Sequence, residues 1–215
     1  MASMDLESAI TNQIGANTPP ESVEELVLDT VKATKVTGLD KFVNLKMLTL
    51  NGCGLTTLEG FPTLARLTQL ELSDNQLSGG LEELQECALF SLSRLSLAGN
   101  KFATLDSLQP LDSLPALRDL DLFNCPVTEV ANYRSGIFEM LPNLKYLDGF
   151  DENENEKEED DDDEGEDGDD DLLSSEVGED DDDDIGEEDE DFGEEGDDFG
   201  EEGDEFGEEG EEGEE

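Results

Sequence analysis

The sequence predicts an α/β solenoid with a parallel sheet on its concave side and capped ends, followed by a disordered acidic tail. Two observations support this prediction: a leucine motif recurs through the first 150 residues, and acidic residues dominate the rest. Residues 1–150 contain 20 acidic and 10 basic residues, whereas residues 151–215 contain 42 acidic residues and one base, Lys157. We therefore expect one folded domain, 1–150, and one tail, 151–215, whose few apolar residues cannot offset the entropy of folding.

The repeated motif reads Leu-x-x-Leu-x-Leu-x-x-Asn/Cys-x-apolar. Successive full copies start 22 or 25 residues apart, which lies within the ~20–29 residue period of leucine-rich repeats. Four copies in register make a chance pattern implausible. The full copies begin at Leu45, Leu67, Leu92 and Leu117, with a weaker copy from Val23 and a truncated one holding Leu144 and Leu147.

Within each copy, the x-Leu-x-Leu stretch predicts a short strand, because alternate side chains of a strand point to opposite faces. The leucines then fill the core, and the residues between them line the concave face. The ninth position holds Cys53, Asn75, Asn100 or Cys125, residue types that can bond inward where the chain leaves the strand. Stacked copies would form a parallel sheet with turns or short helices on the convex side.

The convex side and the two ends also have sequence signals. Segment 78–90 predicts a convex helix, since Leu81, Leu84 and Ala88 recur at helical spacing. A solenoid needs atypical units to cover its exposed ends. Residues 5–14 predict an amino-terminal helical cap with one apolar face, and residues 141–150 predict the closing unit.

The outward strand positions form the candidate binding surface. They include six acidic residues and one base, Arg94. A solvated face is the simpler interpretation for most of them. Residues 119–123 and 146–150 combine acidic with aromatic side chains, which favours a docking surface for a basic partner. The candidate partner-binding residues are Glu71, Asp119, Asp121, Phe123, Tyr146 and Asp148.

The acidic tail has a seven-residue pattern that places Phe192, Phe199 and Phe206 at equal spacing. One apolar residue per seven makes no coiled-coil seam, and the glycines oppose a helix. Two interpretations remain. The pattern is an expanded low-complexity repeat in which the phenylalanines have no function, or the three phenylalanines are anchors that help to bind a highly basic protein. Ser174 and Ser175, the hydroxyl residues of the tail, are candidate phosphorylation sites.

Composition and motifs exclude several function classes. A formal net charge of −51 argues against direct binding of nucleic acid or of an anionic membrane. The chain has no histidine and no P-loop, dinucleotide fingerprint or nucleophile elbow, so we expect no enzymatic activity, cofactor or structural metal. Residues 160–171 space their acids like a calcium loop but lack its apolar position, which leaves weak calcium buffering as an alternative.

The chain shows no signal peptide and no apolar run of the ~20 residues that span a bilayer, so we expect a soluble intracellular protein. Its three cysteines, Cys53, Cys87 and Cys125, lack a paired spacing, which fits reduced thiols in the cytosol or nucleus.

Six stretches of residues 1–150 form a recognisable set: ELVLD at 25–29, LELSDN at 70–75, SGGL at 78–81, LDLFNC at 120–125, NYR at 132–134 and LDGF at 147–150. Together with the acidic tail, this set resembles the acidic leucine-rich nuclear phosphoprotein family. The resemblance implies histone binding and chaperoning, masking of histone tails from acetylation, and inhibition of protein phosphatase type 2A. It also implies roles as an adaptor in messenger-RNA export.

Our leading hypothesis is a non-enzymatic, monomeric binding protein of the nucleus and cytoplasm that acts as a histone chaperone and chromatin regulator. Its partners would be histones or other highly basic proteins, with the tail neutralising them and the solenoid supplying selectivity. One alternative is an inhibitor of protein phosphatase type 2A or a nucleocytoplasmic export adaptor that acts through the repeats. A second alternative is a low-affinity calcium buffer.

Overall fold

A computed structural model describes residues 6–15 and 17–158 of this protein. Six short parallel strands form one sheet, in which each strand pairs with the next along the chain. The predicted parallel sheet and solenoid architecture are therefore confirmed. The strands are β1 (Glu25–Val27), β2 (Met47–Thr49), β3 (Gln69–Glu71), β4 (Arg94–Ser96), β5 (Asp119–Asp121) and β6 (Tyr146–Leu147).

The sheet register places the central leucine of each strand beside the equivalent leucine of its neighbours. Leu48 pairs with Leu70 after a step of 22 residues, and Leu70 pairs with Leu95 after a step of 25. These leucines are almost completely buried, and each contributes about 1.5–3 kcal/mol through the removal of apolar surface from water. The strands keep their register although the repeats differ in length, so the additional residues are accommodated on the convex side.

The ninth repeat position bonds inward, as predicted. The side-chain amide of buried Asn75 donates to the carbonyls of Leu50 and Leu72 at 2.9 and 2.8 Å, and its oxygen accepts from the amides of Gly54 and Leu55. Cys53 takes the same place in its repeat and donates its thiol to the carbonyl of Leu28 at 3.2 Å. These side chains satisfy backbone groups that the short strands leave unpaired.

The residue before the ninth position always has a left-handed backbone. Gly52 and Gly99 have φ values of 65° and 68°, and Asp74 and Asn124 adopt 57° and 60° at the equivalent places. Glycine, aspartate and asparagine are the residues that tolerate this conformation best. This repeated turn directs the chain from the strand toward the convex side.

The convex helix predicted over 78–90 is shorter than expected, because α2 covers only Glu82–Glu86. Leu81 and Leu84 are buried as the pattern requires. The helix ends early because Ala88 adopts a left-handed φ of 52°. Other convex segments form 3-10 helices, at Leu105–Ser113 and Pro126–Glu129.

Both ends of the solenoid are covered. At the front, helix α1 (Leu6–Ile14) buries Leu6, Ala9 and Ile10 against the core, as the amino-terminal cap prediction requires. Pro20–Ser22 forms a short 3-10 turn before β1.

At the back, helix α3 (Tyr133–Met140) precedes β6. The structured contacts continue past the expected boundary at residue 150, since an antiparallel bridge joins Phe150 to Glu156. The guanidinium of Arg134 donates to the carbonyls of Leu147, Phe150 and Asp151, which ties this turn to α3.

In the described ranges, no helix has the length and apolar character that crossing a membrane requires. Nor do the described residues contain a group of three histidine, cysteine or acidic side chains that could hold a metal ion. The predicted calcium-like segment 160–171 lies outside these residues.

Candidate functional site

A depression of about 480 Å³ lies on the concave face above strands β3 to β5. Five of the six candidate residues predicted within 1–150 line it, and the sixth, Tyr146, is the register partner of Asp119 on β6. The depression therefore collects the acidic and aromatic positions that the repeat pattern places outward. The lining residues with polar or aromatic side chains are Gln69, Glu71, Arg94, Ser96, Asp119, Asp121, Phe123 and Asp148.

Glu71 stands at the end of β3 and is held by its neighbours. Its Oε1 accepts a hydrogen bond of 2.8 Å from the amide of Gln69, and its Oε2 accepts one of 2.9 Å from the amide of Asn51. Both donors are neutral, so the negative charge of Glu71 is oriented without being neutralised by them. A carboxylate held in this way loses little side-chain entropy when a cation binds.

Asp121 ends a row of hydrogen-bonded side chains that come from three successive repeats. The hydroxyls of Ser73 and Ser96 are 2.8 Å apart, and Ser96 donates to Oδ2 of Asp121 at 3.1 Å. The other carboxylate oxygen accepts from the backbone amide of Phe123 at 2.9 Å. The leucine pattern does not indicate this bonded row.

Asp119 is paired with a base from beyond the last strand. Nζ of Lys157 lies 2.8 Å from its Oδ2 and 5.8 Å from the centroid of the Tyr146 ring. Sequence reasoning did not assign Lys157 to the site. The sequence did single out Lys157, because it is the one base among residues 151–215.

Asp148 bonds inward, unlike the other candidate acids. Its Oδ1 accepts from the amide of Leu122 at 2.7 Å, and its Oδ2 accepts from the hydroxyl of Tyr133 at 2.9 Å. Burial raises the pKa of Asp148 above its usual value, although these two hydrogen bonds oppose the shift. Burial, together with the adjacent Asp148 charge, also raises the pKa of Tyr133.

Phe123 and Phe150 are the exposed aromatic residues at this end of the concave face, with 63% and 42% of their surfaces accessible. Large aromatic side chains bury much apolar area when a partner covers them. They are therefore candidate apolar anchors, and Phe123 lines the depression together with Asp119 and Asp121.

The buried cysteines offer no reactive group. Cys53, Cys87 and Cys125 are all free and buried, and burial raises the pKa of each thiol. A nucleophilic cysteine needs the opposite shift, toward the thiolate. The candidate residues Phe192, Phe199 and Phe206 and the candidate phosphorylation sites Ser174 and Ser175 lie outside the described residues.

The comparison with known families agrees with the repeat geometry. A model of the leucine-rich repeat family matches residues 23–166. The chain belongs to the leucine-rich repeat family. The crystal structure of the Drosophila melanogaster SNF/U2A' complex contains a chain with a similar fold, at a TM-score of 0.53 and 29% sequence identity. That match covers 64% of this chain and 76% of the other.

Two curated proteins resemble this chain more specifically than the general repeat family does. The chain is 48% identical over 135 residues to acidic leucine-rich nuclear phosphoprotein 32 family member A of Drosophila pseudoobscura pseudoobscura and of Drosophila melanogaster. Each match covers 62% of this chain and 51% of the relative, so the chain spans about half the length of these proteins. The resemblance to the acidic leucine-rich nuclear phosphoprotein family is thereby confirmed.

Proposed function

We propose that this protein is a non-enzymatic, monomeric binding protein of the nucleus and cytoplasm that binds histones or similarly basic proteins as a chaperone and chromatin regulator. The observation that carries the proposal is the grouping of Glu71, Asp119 and Asp121 with exposed Phe123 around one concave depression. The names of the curated relatives, which are nuclear phosphoproteins, support the nuclear part of the assignment.

Charge and shape together favour a basic protein partner. Residues 1–150 carry a net charge of −10 and residues 151–215 a net charge of −41. Such a field accelerates the approach of a polycation and repels nucleic acid. The carboxylates of Glu71 and Asp121 are held in place by neutral donors, so they are preorganised for lysine or arginine side chains.

The pKa shifts favour binding over catalysis. Tyr133 and Cys125, whose pKa is raised, are bonded within the fold. Asp148, which also lines the depression, has both carboxylate oxygens occupied by hydrogen bonds from Leu122 and Tyr133. In an active site, several such groups would instead converge on a cleft where a substrate fits.

A second candidate function is inhibition of protein phosphatase type 2A or service as an export adaptor, with the repeats as the binding element. The exposed aromatic residues Phe123 and Phe150 favour it, because apolar anchors serve a folded partner of ordinary charge as well as a basic one. This candidate predicts binding that depends on the aromatic residues and changes little with salt. Calcium buffering by the tail is the third candidate.

Binding of purified core histones to the full chain tests the proposal. The double substitution Glu71→Gln with Asp121→Asn removes two charges from the depression and leaves side chains of similar shape. Two close charge pairs of about 0.7 kcal/mol each correspond to about tenfold weaker binding. The matched control is Glu82→Gln with Glu83→Gln, which makes the same charge change on the convex helix α2.

The proposal is contradicted if both double variants weaken histone binding equally, or if the full chain binds no better than poly-glutamate. The substitution of Phe192, Phe199 and Phe206 by Ala in the same assay tests whether the tail phenylalanines act as anchors. Phe123→Ser distinguishes the second candidate function from histone binding. Loss of phosphatase inhibition with unchanged histone binding would favour the phosphatase-inhibitor candidate.

A further inference from the structure

Lys157 lies on the concave face as an intramolecular ligand of two side chains. Asp119 and Tyr146 are register partners on adjacent strands, and the ammonium group of Lys157 contacts the carboxylate of the first and faces the ring of the second. The Lys157 and Asp119 side chains are only 19% and 22% exposed. The pair is therefore less screened by salt than a pair on the open surface.

The backbone around Lys157 is fixed by hydrogen bonds that do not involve the ammonium group of Lys157. The amide of Lys157 donates to the carbonyl of Gly149 at 2.9 Å. Within the preceding turn, Oδ1 of Asp151 accepts from the amides of Asn153 and Asn155 at 2.9 and 2.8 Å. The Lys157 side chain can therefore leave Asp119 while these backbone bonds remain.

We propose that Asp119 and Tyr146 form a binding subsite for a lysine side chain, and that Lys157 fills it until a lysine of a basic protein partner replaces it. This inference rests on the proposed function and names the side chain that the concave face recognises. A carboxylate beside an aromatic face suits an ammonium group, which gains an ion pair and a cation–π contact. We call this pair the lysine subsite.

An internal ligand lowers the apparent affinity for an external one by the fraction of time that the subsite is open. Removal of Lys157 should therefore tighten the binding of an external lysine at this place. A structural role for Lys157 predicts the opposite, since loss of its ion pair would loosen the turn and weaken binding.

The test uses the full chain with ¹³C-labelled tyrosine rings and a decalysine peptide in near-physiological salt. The chain contains two tyrosines, so the spectrum reports the subsite through Tyr146 and the buried interior through Tyr133. This readout is specific to the subsite even though decalysine also binds the acidic tail. Lys157→Ala is compared with Lys145→Ala, which has the same net charge and loses an exposed lysine next to Tyr146.

We expect the Tyr146 signal of Lys157→Ala to reach half-saturation at about fivefold less decalysine than that of Lys145→Ala, since an ion pair and a cation–π contact together correspond to about that ratio. Adding Asp119→Asn to Lys157→Ala should abolish saturation over the same range. Equal half-saturation in the two lysine variants overturns the inference, as does a weaker response of Lys157→Ala. Thermal unfolding of both variants shows whether the fold is retained.

Core histones tested on the same proteins separate this inference from the proposed function. Histone binding that is the same for Lys157→Ala and Lys145→Ala, with equal decalysine responses, overturns the subsite and leaves the proposed function standing. Failure of histones to bind, with the expected Tyr146 response to decalysine, overturns the proposed function and leaves the subsite standing.

Discussion

The hydroxyl of Tyr133 donates a 2.9 Å hydrogen bond to the carboxylate of Asp148, fifteen residues further along the chain. Because Asp148 also accepts from the amide of Leu122, one carboxylate connects α3, β6 and the turn that follows β5. The acidic end of the concave face is therefore built on an internal bond between an aromatic residue and an acid.

Substitution of Tyr133 by Phe should destabilise the protein and change its stability at alkaline pH. Loss of a hydrogen bond to a charged acceptor costs about 2 kcal/mol in the free energy of unfolding near pH 8. The pKa of Tyr133 is raised in the folded state from an ordinary value of 10.0. Its contribution is therefore complete below pH 10 and is lost as the pH rises further, because the unfolded chain then ionises this residue more readily.

Urea unfolding at pH 8, 10 and 11 checks this prediction. The gap between wild type and Tyr133→Phe should shrink by about 1.4 kcal/mol per pH unit above 10. A gap that stays constant from pH 8 to 11 would contradict the argument.

Substitution of Asn75 should show how much the inward-bonding position contributes. Asn75→Leu leaves buried carbonyl and amide groups of Leu50, Leu72, Gly54 and Leu55 without this partner, at a cost of about 3–5 kcal/mol. Asn75→Cys should cost less, since the thiol of Cys53 bonds inward at the equivalent position. Urea unfolding measures both, and equal losses for Leu and Cys would refute the proposed role of the position.

Gly99 and Gly52 offer a matched pair for separating backbone strain from crowding. Both have a left-handed φ, but a Cβ at Gly99 would overlap Oδ1 of Asp74, whereas one at Gly52 would meet Thr30 Cγ2 at 3.6 Å. Gly52→Ala should cost about 1 kcal/mol from strain alone. Gly99→Ala should cost about 1–3 kcal/mol more, because Asp74 must move.

Thermal unfolding of the two alanine variants measures this difference. In an Asp74→Gly background, where the crowding carboxylate is absent, most of the additional cost of Gly99→Ala should disappear, and the Cα of residue 74, 3.3 Å from the added Cβ, accounts for what is left. If the additional cost persists in that background, crowding by the Asp74 side chain is not its source.

The strands were predictable from the sequence because one leucine pattern determines both burial and register. Leu70, for example, can be buried and stacked beside Leu48 and Leu95 only if Gln69 and Glu71 face outward. The convex side was less predictable, since apolar spacing over a short segment does not distinguish an α-helix from a 3-10 helix or a turn. Segment 78–90 illustrates this, because the left-handed backbone of Ala88 ends its helix early.

The candidate site was predictable in position but not in its internal bonds. The pattern placed Asp119, Asp121 and Phe123 on the concave face, where the structure has them. The same pattern predicts that Asp148 is one more outward-facing acid. In the structure, the backbone of Asp148 has a left-handed φ of 52°, and its carboxylate accepts a hydrogen bond from Tyr133. The position of Lys157 on the concave face depends on a reversal of the chain after β6, which the repeat pattern does not predict.

The strands stay in register although the spacing of equivalent residues along the chain grows from 22 residues between Leu48 and Leu70 to 27 between Leu120 and Leu147. Length changes are therefore confined to the convex side, where additional residues form turns that do not displace the sheet. The two surfaces can thus diverge separately during evolution. A lineage can insert or delete residues on the outer side, and acquire new contacts there, without altering which side chains stand next to each other on the inner side.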